Sequence, residues 1–524
     1  MTKKFAGWPG HFLALAVGLI WAFGFAPFNI WPLTGLSLLG FFFSLQSSLT
    51  RRQALWRAWW YGLGFYGVGV SWVYVSIHQY GSAPVVLAGC LTGLFVIFLS
   101  FLFFAPLGWS YAWLTQRFKA STLGSKLVLF GLLWLVFEWL KTWLLTGFPW
   151  LLLGYAYIDT PLASWSPIIG SLGISAFALI SWLGLAWLVS QRRQWNSKQW
   201  QSVLACTTLL WVAGAMLTHH QWTDNAQSKP LTVSAIQANI PQQLKWNKEY
   251  IHTTLATYRM LSKDHWQSDL IIWPENAIPI VYPLQAKSFV DMFAEEANKY
   301  QSTLITGLPF MSQKVIDGQS YRTFYNGIIA AGNGSGSYYK QKLVPFGEYV
   351  PLEDLLRGLI QFFNLPMSSF SSGNSNQPHL VADKTKIAAF ICYEIVYGDF
   401  VAQQAQHSNL LITISNDSWF GASIGPHQHF QMARMRALET GRYLIRATND
   451  GISAIINDQG DVLTQLPQFQ ASVLTGKVKS KQGNTPYMMW QSYPLLFIIA
   501  LILGVFSWTA RQKQSIAMEQ ASSL

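Results

Sequence analysis

Charge is scarce in this chain. Only 11% of its 524 residues are Asp, Glu, Lys or Arg, against 51% hydrophobic and 15% aromatic. That balance excludes a wholly water-bathed protein and fits one living partly in a bilayer, whose interfaces collect Trp and Tyr. Cysteine is scarcer still, at three residues. Cys90 and Cys206 fall in apolar runs and read as small packing residues. Cys392 has no partner in its own block, which excludes a disulfide framework. His427 and His429 in GPHQHF are not matched by a second cysteine at metal-site spacing. The excess of positive charge is uneven. From Lys229 to Lys481 there are 21 Lys and Arg against 19 Asp and Glu, and the rest holds 14 against 4. The near-neutral block has no basic stripe, which excludes nucleic-acid binding. No internal repeat of the kind seen in transporters is present.

What the chain has in abundance is long apolar runs. A membrane helix needs roughly 20 mostly apolar residues. Eight candidates lie near 11–28, 31–48, 55–77, 84–106, 126–146, 166–190, 200–218 and 489–509. The fourth can run on toward Trp113. Between the fifth and sixth, FPWLLLGYAYIDTPLASWSPIIG is apolar but broken by Pro and Gly, so it is expected to dip into the interface without crossing. Basic clusters fall in alternate loops: Lys3 and Lys4; Arg51, Arg52 and Arg57; Arg117, Lys119 and Lys126; Arg192, Arg193 and Lys198; Arg511 and Lys513. With eight spans all of them lie on one side, so both termini are expected in the cytoplasm and the block before the last span outside it. The first span also has the charge pattern of a signal peptide, but no small-x-small cleavage site follows it. Glu138 and Lys141 share a helix face in the fifth span and can partly neutralise each other. They read either as a structural pair with Lys141 snorkelling to the interface, or as a contact to a lipid headgroup or to neighbouring helices.

The pattern changes at about residue 221. Domains are expected at 1–220 (seven membrane helices), 221–485 (extracytoplasmic) and 486–524 (last span and tail). In the middle block, strand-like runs at 231–240, 269–275, 302–309, 321–332, 386–394 and 409–417 alternate with helical ones at 247–263, 286–300 and 427–442. A hairpin is expected around GNGSG, and three more strands close the block. This is an α/β class domain with mixed sheets covered by helices. Catalytic side chains gather where strands of such sheets end.

Three chemically suggestive residues sit at or beside such ends: Glu275 in LIIWPE, Lys340 in YYKQK and Cys392 in AAFICYE. A thiol, an acid and an amine are the parts needed for acyl transfer through a thioester. The acid takes the thiol proton, and the ammonium favours thiolate and steadies an oxyanion. Taken singly, each has a plainer reading: an inert buried thiol, a solvated strand-end lysine, a loop carboxylate. Glu348 in PFGEYVP and Glu394 beside Cys392 are further carboxylates in apolar settings. They orient the lysine or an acceptor amine, or simply hold loops by hydrogen bonds.

The segments IIWPENAIP, YYKQKLVPFGEYVPLE, AAFICYE and ISNDSWFG resemble the nitrilase superfamily. With the spans, FEWLKTWLLTGFPW and QANIPQQLKW added, the chain resembles the bacterial apolipoprotein N-acyltransferase family over nearly its whole length. The resemblance implies an eight-helix transmembrane bundle carrying a nitrilase-like α-β-β-α sandwich. It implies Glu275 as general base, Lys340 as electrostatic stabiliser and Cys392 as nucleophile, with Glu348 assisting on a mobile loop. Trp246, Tyr393 and Glu394 match positions that shape the substrate site. It further implies a membrane phospholipid as acyl donor, typically phosphatidylethanolamine, and a diacylglyceryl apolipoprotein as acceptor. No metal or diffusible cofactor, a monomer, and residence in the bacterial inner membrane with a periplasmic catalytic domain complete the expectation. The aromatics of PFGEYVP, QFFNLPMSSF and NDSWFG are expected to wall an acyl chain or to pack ordinarily. A membrane-tethered hydrolase with water as acceptor would use the same three residues, but eight spans exceed what a tether needs. A transporter or scaffold with a dead enzyme-like domain would not need all three.

Overall fold

The computed structural model describes residues 7–46, 49–227, 229–316, 319–349 and 370–522. Lys3, Lys4, Val350, Pro351 and most of the QFFNLPMSSF run lie outside the described residues. The chain divides into two compact units. One comprises Met1–Ile77, Pro84–His220 and Trp490–Leu524, the other His78–Ala83 and Gln221–Met489. The short stretch His78–Ala83, which precedes the apolar helix Val85–Arg117, thus belongs to the second unit, where the Tyr80 ring lies 5.7 Å from that of Trp419.

The first unit is helical. Among the described residues five helices are long and apolar enough to cross a membrane: Val85–Arg117, Leu123–Lys141, Pro161–Ser190, Lys198–Leu217 and Tyr493–Gln512. Trp8–Gly24 and Pro32–Ser44 are apolar but shorter. Arg51–Gly69, in the place of the expected third span, is rich in Arg, Trp and Tyr rather than aliphatic residues. Small residues let the helices close up, as in other membrane bundles. A Cβ at Gly18 would stand 2.3 Å from the Tyr61 carbonyl oxygen, and one at Gly64 2.3 Å from that of Leu15. The broken segment after Lys141 forms 3-10 turns at Leu153–Tyr157 and Pro161–Trp165. Glu138 holds it: Oε1 accepts from the Leu153 amide at 2.7 Å and from Trp134 Nε1 at 3.0 Å. Lys141 makes no direct ion pair with Glu138, although the two charges interact through space, and it does not snorkel. It is buried, with Nζ 5.1 Å from the centre of the Phe65 ring.

The second unit is a two-sheet sandwich. We number its strands β1 (Leu231–Gln237), β2 (Leu270–Ile272), β3 (Thr303–Ile316), β4 (Gln319–Gly332), β5 (Gly334–Ser335), β6 (Ser337–Tyr339), β7 (Leu380–Ala382), β8 (Thr385–Ile391), β9 (Leu410–Ser415), β10 (Leu444–Thr448), β11 (Ala454–Ile456), β12 (Val462–Gln465) and β13 (Ser472–Val478). One sheet runs β13-β1-β2-β3-β4-β6 and the other β12-β11-β10-β9-β8-β7-β5. Successive strand residues face opposite sides, and the burial follows that rule. Leu270 and Ile272 join Ile387, Ile391, Ile412 and Ile414 in the core between the sheets. Ile271, between them, faces the helix layer with Tyr258, Val290 and Phe293. The expected hairpin around GNGSG is present in reduced form as β4 with β6. The longer hairpin, β3 with β4, pairs Thr303–Ile316 with Gln319–Gly332 and outruns the eight-residue strand expected at 302–309.

Candidate functional site

Parallel pairing decides what meets at the strand ends. β8 pairs with β9 so that Ile391 lies opposite Ile414, and the next residues, Cys392 and Ser415, are neighbours. β4 pairs with β6 so that Gly327 faces Tyr339, and the next pair, Asn326 and Lys340, is joined by Lys340 N–H donating to the Asn326 carbonyl at 2.8 Å. β2 stops at Ile272 because Pro274 lacks an amide hydrogen. The chain then turns Glu275 inward past Gly307, where a Cβ would lie 2.8 Å from the Glu275 Cα and 2.7 Å from the Asn276 nitrogen.

Glu275, Lys340 and Glu348 meet in a buried cluster. Lys340 Nζ lies 2.9 and 2.8 Å from the two Glu348 carboxylate oxygens and 3.9 Å from Glu275 Oε1. Asn326 Nδ2 donates to Glu275 Oε1 at 2.7 Å and to Glu348 Oε1 at 2.8 Å. The Asn416 amide donates to Glu275 Oε2 at 2.9 Å. Glu348 Oε2 also accepts from the Val344 amide at 2.9 Å. Burial works against the Lys340 charge, but the carboxylates of Glu348 and Glu275 outweigh it and hold the ammonium above the ordinary lysine value. Burial, with the Glu348 charge, raises the Glu275 carboxyl against the pull of Lys340. The sequence expectation that a nearby ammonium keeps Cys392 as thiolate needs adjusting here. Burial and the Glu275 charge push the thiol up to about 12, and Lys340 offsets them only in part. The sulfur keeps its proton at rest, beside a carboxylate raised toward proton acceptance.

The remaining expected residues divide. Glu394 is fully buried and accepts four hydrogen bonds: Tyr338 Oη at 2.9 Å, and the amides of Gln341 at 2.6 Å, Lys342 at 3.1 Å and Ile391 at 2.8 Å. Burial pushes it up to about 7 against those donors. It ties the end of β8 to the loop after Lys340. Tyr393 is buried with its ring edge-on to Tyr397, 5.3 Å away. Trp246 is half-buried, directly after the turn Gln242–Lys245.

Several residues here escaped the sequence reading. Lys245, next to Trp246, is buried and donates to the Glu275 carbonyl at 2.8 Å. Asn326 and Asn416 clamp the Glu275 carboxylate. Asn326 gives one visible signal, an amide breaking the apolar run of FYNGII; Asn416 acts through its backbone N–H, which no side chain reports. Asp417, His429 and Arg446 form a further buried group below Cys392. Among the described residues no group of three or more His, Cys, Asp or Glu is arranged to hold a metal ion.

Comparison with known proteins covers both units. A carbon-nitrogen hydrolase family model matches residues 232–487. A model of the apolipoprotein N-acyltransferase N-terminal domain matches residues 17–183. A Pseudomonas putida protein named apolipoprotein N-acyltransferase is 46% identical over 505 residues, covering 95% of this chain and 96% of that one. One of the same name from Vibrio parahaemolyticus is 38% identical over 511 residues, covering 95% of this chain and 97% of that one.

Proposed function

The chain belongs to the apolipoprotein N-acyltransferase family, and from that premise we propose that it moves a fatty acyl chain from a membrane phospholipid, through a thioester on Cys392, to the α-amine of the diacylglyceryl-cysteine of an apolipoprotein. The observation that carries this reading is the buried Glu275–Lys340–Glu348 cluster, electrostatically coupled to the Cys392 thiol.

In the first half-reaction Glu275 takes the thiol proton as the sulfur attacks the ester carbonyl. The tetrahedral oxyanion is steadied by Lys340, whose charge Glu348 keeps in place. Collapse breaks the carbonyl–oxygen bond, and the leaving lysophospholipid alkoxide takes the proton back from Glu275. In the second half-reaction Glu275 accepts a proton from the acceptor amine as its nitrogen attacks the thioester. The amide forms, and the departing sulfur recovers that proton. Each half-reaction conserves protons, so one carboxylate serves both. Glu394 holds the two strand ends that carry Lys340 and Cys392, and Trp246 and Tyr393 shape the substrate entrance.

The donor sets the location. Each CH₂ taken out of the bilayer costs roughly 0.8 kcal/mol, so the site lies close above a leaflet. The basic clusters in alternate loops support a catalytic unit in the periplasm, against the outer leaflet of the inner membrane. The enzyme works as a monomer and needs no metal or cofactor.

The test is incubation of the purified protein with acyl-labelled phosphatidylethanolamine and intact-mass detection of a hydroxylamine-sensitive adduct. The adduct is expected in wild type, absent in Cys392→Ala, and discharged by a diacylglyceryl-cysteinyl peptide. Discharge by water at an equal rate would make the protein a hydrolase instead.

A further inference from the structure

Cys392 has a φ of +51°. A residue with a Cβ stays in this left-handed region only where its surroundings hold it. Four side chains unused by the chemistry above surround it: Ser415, Asp417, His429 and Arg446, none more than 2% exposed. His429 Nε2 lies 3.2 Å from the Cys392 carbonyl oxygen. The other ring nitrogen, Nδ1, lies 3.0 Å from Arg446 Nη2 and 3.3 Å from Asp417 Oδ1. A carbonyl oxygen only accepts, so Nε2 carries a hydrogen and donates to the Cys392 carbonyl. Burial and the Arg446 charge hold the imidazole below its ordinary value against the pull of Asp417.

Asp417 braces the arrangement from behind. Its Oδ2 accepts from Arg446 Nη2 at 2.6 Å, and its Oδ1 accepts from Ser415 Oγ at 2.6 Å. Arg446 is fixed in turn by Nε donating to the Ile452 carbonyl at 3.2 Å. Strand register puts Ser415 beside Cys392, and its hydroxyl reaches the thiol. That hydroxyl has a single hydrogen. Turned to Asp417, it leaves the oxygen lone pairs for the S–H; turned to the sulfur, it stabilises a thiolate. Gly451 leaves room for Asp417, since a Cβ there would stand 2.5 Å from Oδ2.

We propose that these four side chains form one positioning assembly for the nucleophile: His429 Nε2–H holds the Cys392 backbone in its left-handed turn, and Asp417 sets the Ser415 hydroxyl that orients the sulfur. The proposal rests on Cys392 as the acylated residue. The charged groups facing that sulfur are Glu275, Lys340 and Asp417, and all stay in place in the variants used to test it.

The experiment uses the full-length protein in phospholipid vesicles. It follows the rate of thioester formation from labelled phosphatidylethanolamine, and Cys392 alkylation by iodoacetamide across a pH series. His429→Phe fills the ring's space without a donor, and His429→Gln keeps an N–H near the Nε2 position. His429→Phe is expected to slow thioester formation at least ~30-fold with KM for the donor held within about twofold, and His429→Gln to restore it to within ~5-fold. Ser415→Ala is expected to slow alkylation about tenfold at each pH of the series below about 10, the thiolate fraction lost when the midpoint rises by one pH unit. Wild-type rates in His429→Phe, equal damage in the Gln variant, or a loss confined to KM would overturn the proposal. Should His429→Phe fail to fold, the Ser415→Ala alkylation rate decides, and an unchanged rate overturns it. Failure of the underlying reading looks different: Cys392→Ala would still carry an acyl adduct.

Discussion

Two lysines, one in each unit, are buried to nearly the same degree: Lys340 is 1% exposed and Lys141 3%. Their company differs. Lys340 has both oxygens of Glu348 within 2.9 Å and Glu275 at 3.9 Å. Lys141 has the face of Phe65 and only the through-space pull of Glu138, whose hydrogen bonds go to Leu153 and Trp134. In the catalytic unit burial is matched by charges that give the ammonium a fixed address. In the membrane unit polar groups are used singly, as pins for broken backbone. Burial alone therefore does not mark a working residue; the number of groups converging on it does.

The sharpest way to break this comparison is Lys340→Met. It leaves Glu275 and Glu348 facing each other without a cation, and removing one partner of a buried pair costs about 3–5 kcal/mol. Thioester formation should fall at least ~10³-fold, measured by intact mass. Lys141→Met should cost no more than about 2 kcal/mol, the worth of a desolvated cation–π contact, read as a small change in thermal midpoint. Equal losses would erase the distinction.

Gly307→Ala probes the packing that admits Glu275. The added methyl meets backbone on one side and Ile414 on the other, so stability should drop by about 1–3 kcal/mol, as for overpacking, with acyl transfer falling further than stability. Glu138→Gln is the membrane counterpart. It keeps the Oε1 acceptor, so the thermal midpoint should fall by no more than the equivalent of about 1 kcal/mol.

Asp450 supplies the pH dependence. Burial pushes its carboxyl up to about 6, against the Ser418 hydroxyl that donates to it at 2.6 Å. A raised carboxylate holds its proton longer folded than unfolded. Its contribution is thus best in acid and is lost as pH rises from about 4, the unfolded value, through 6. Asp450→Asn should stabilise the protein by about 1–3 kcal/mol above pH 6 and leave it unchanged below about pH 4. A thermal-shift series across that window checks it.

Part of this design is legible in the sequence because it is local. Alternation in LTVSAIQ and the apolar run in KIAAFI mark strands, and Pro274 marks where one stops. Glu275, Lys340 and Cys392 stand out because charge and thiol are rare in their surroundings. What is not legible depends on register. Asn326 reaches the carboxylates only because β4 and β6 pair with Gly327 opposite Tyr339. Ser415 reaches the thiol only because β8 and β9 run parallel with Ile391 opposite Ile414. One residue of slip would turn either away. Lys245 was hidden by its ordinary setting, a lysine in a polar turn. The strands β7 and β12 are three and four residues long, too short for a periodic signal.

The stretch His78–Ala83 has one more implication, for how the chain is made. It emerges from the ribosome well over a hundred residues ahead of Trp419, whose ring its Tyr80 meets. That aromatic handshake therefore waits until the late segment has been synthesised. A chimera built by exchanging amino-terminal halves between relatives would carry a foreign Tyr80 loop into the acyltransferase body, so the useful crossover points lie on either side of that loop, not only near residue 220.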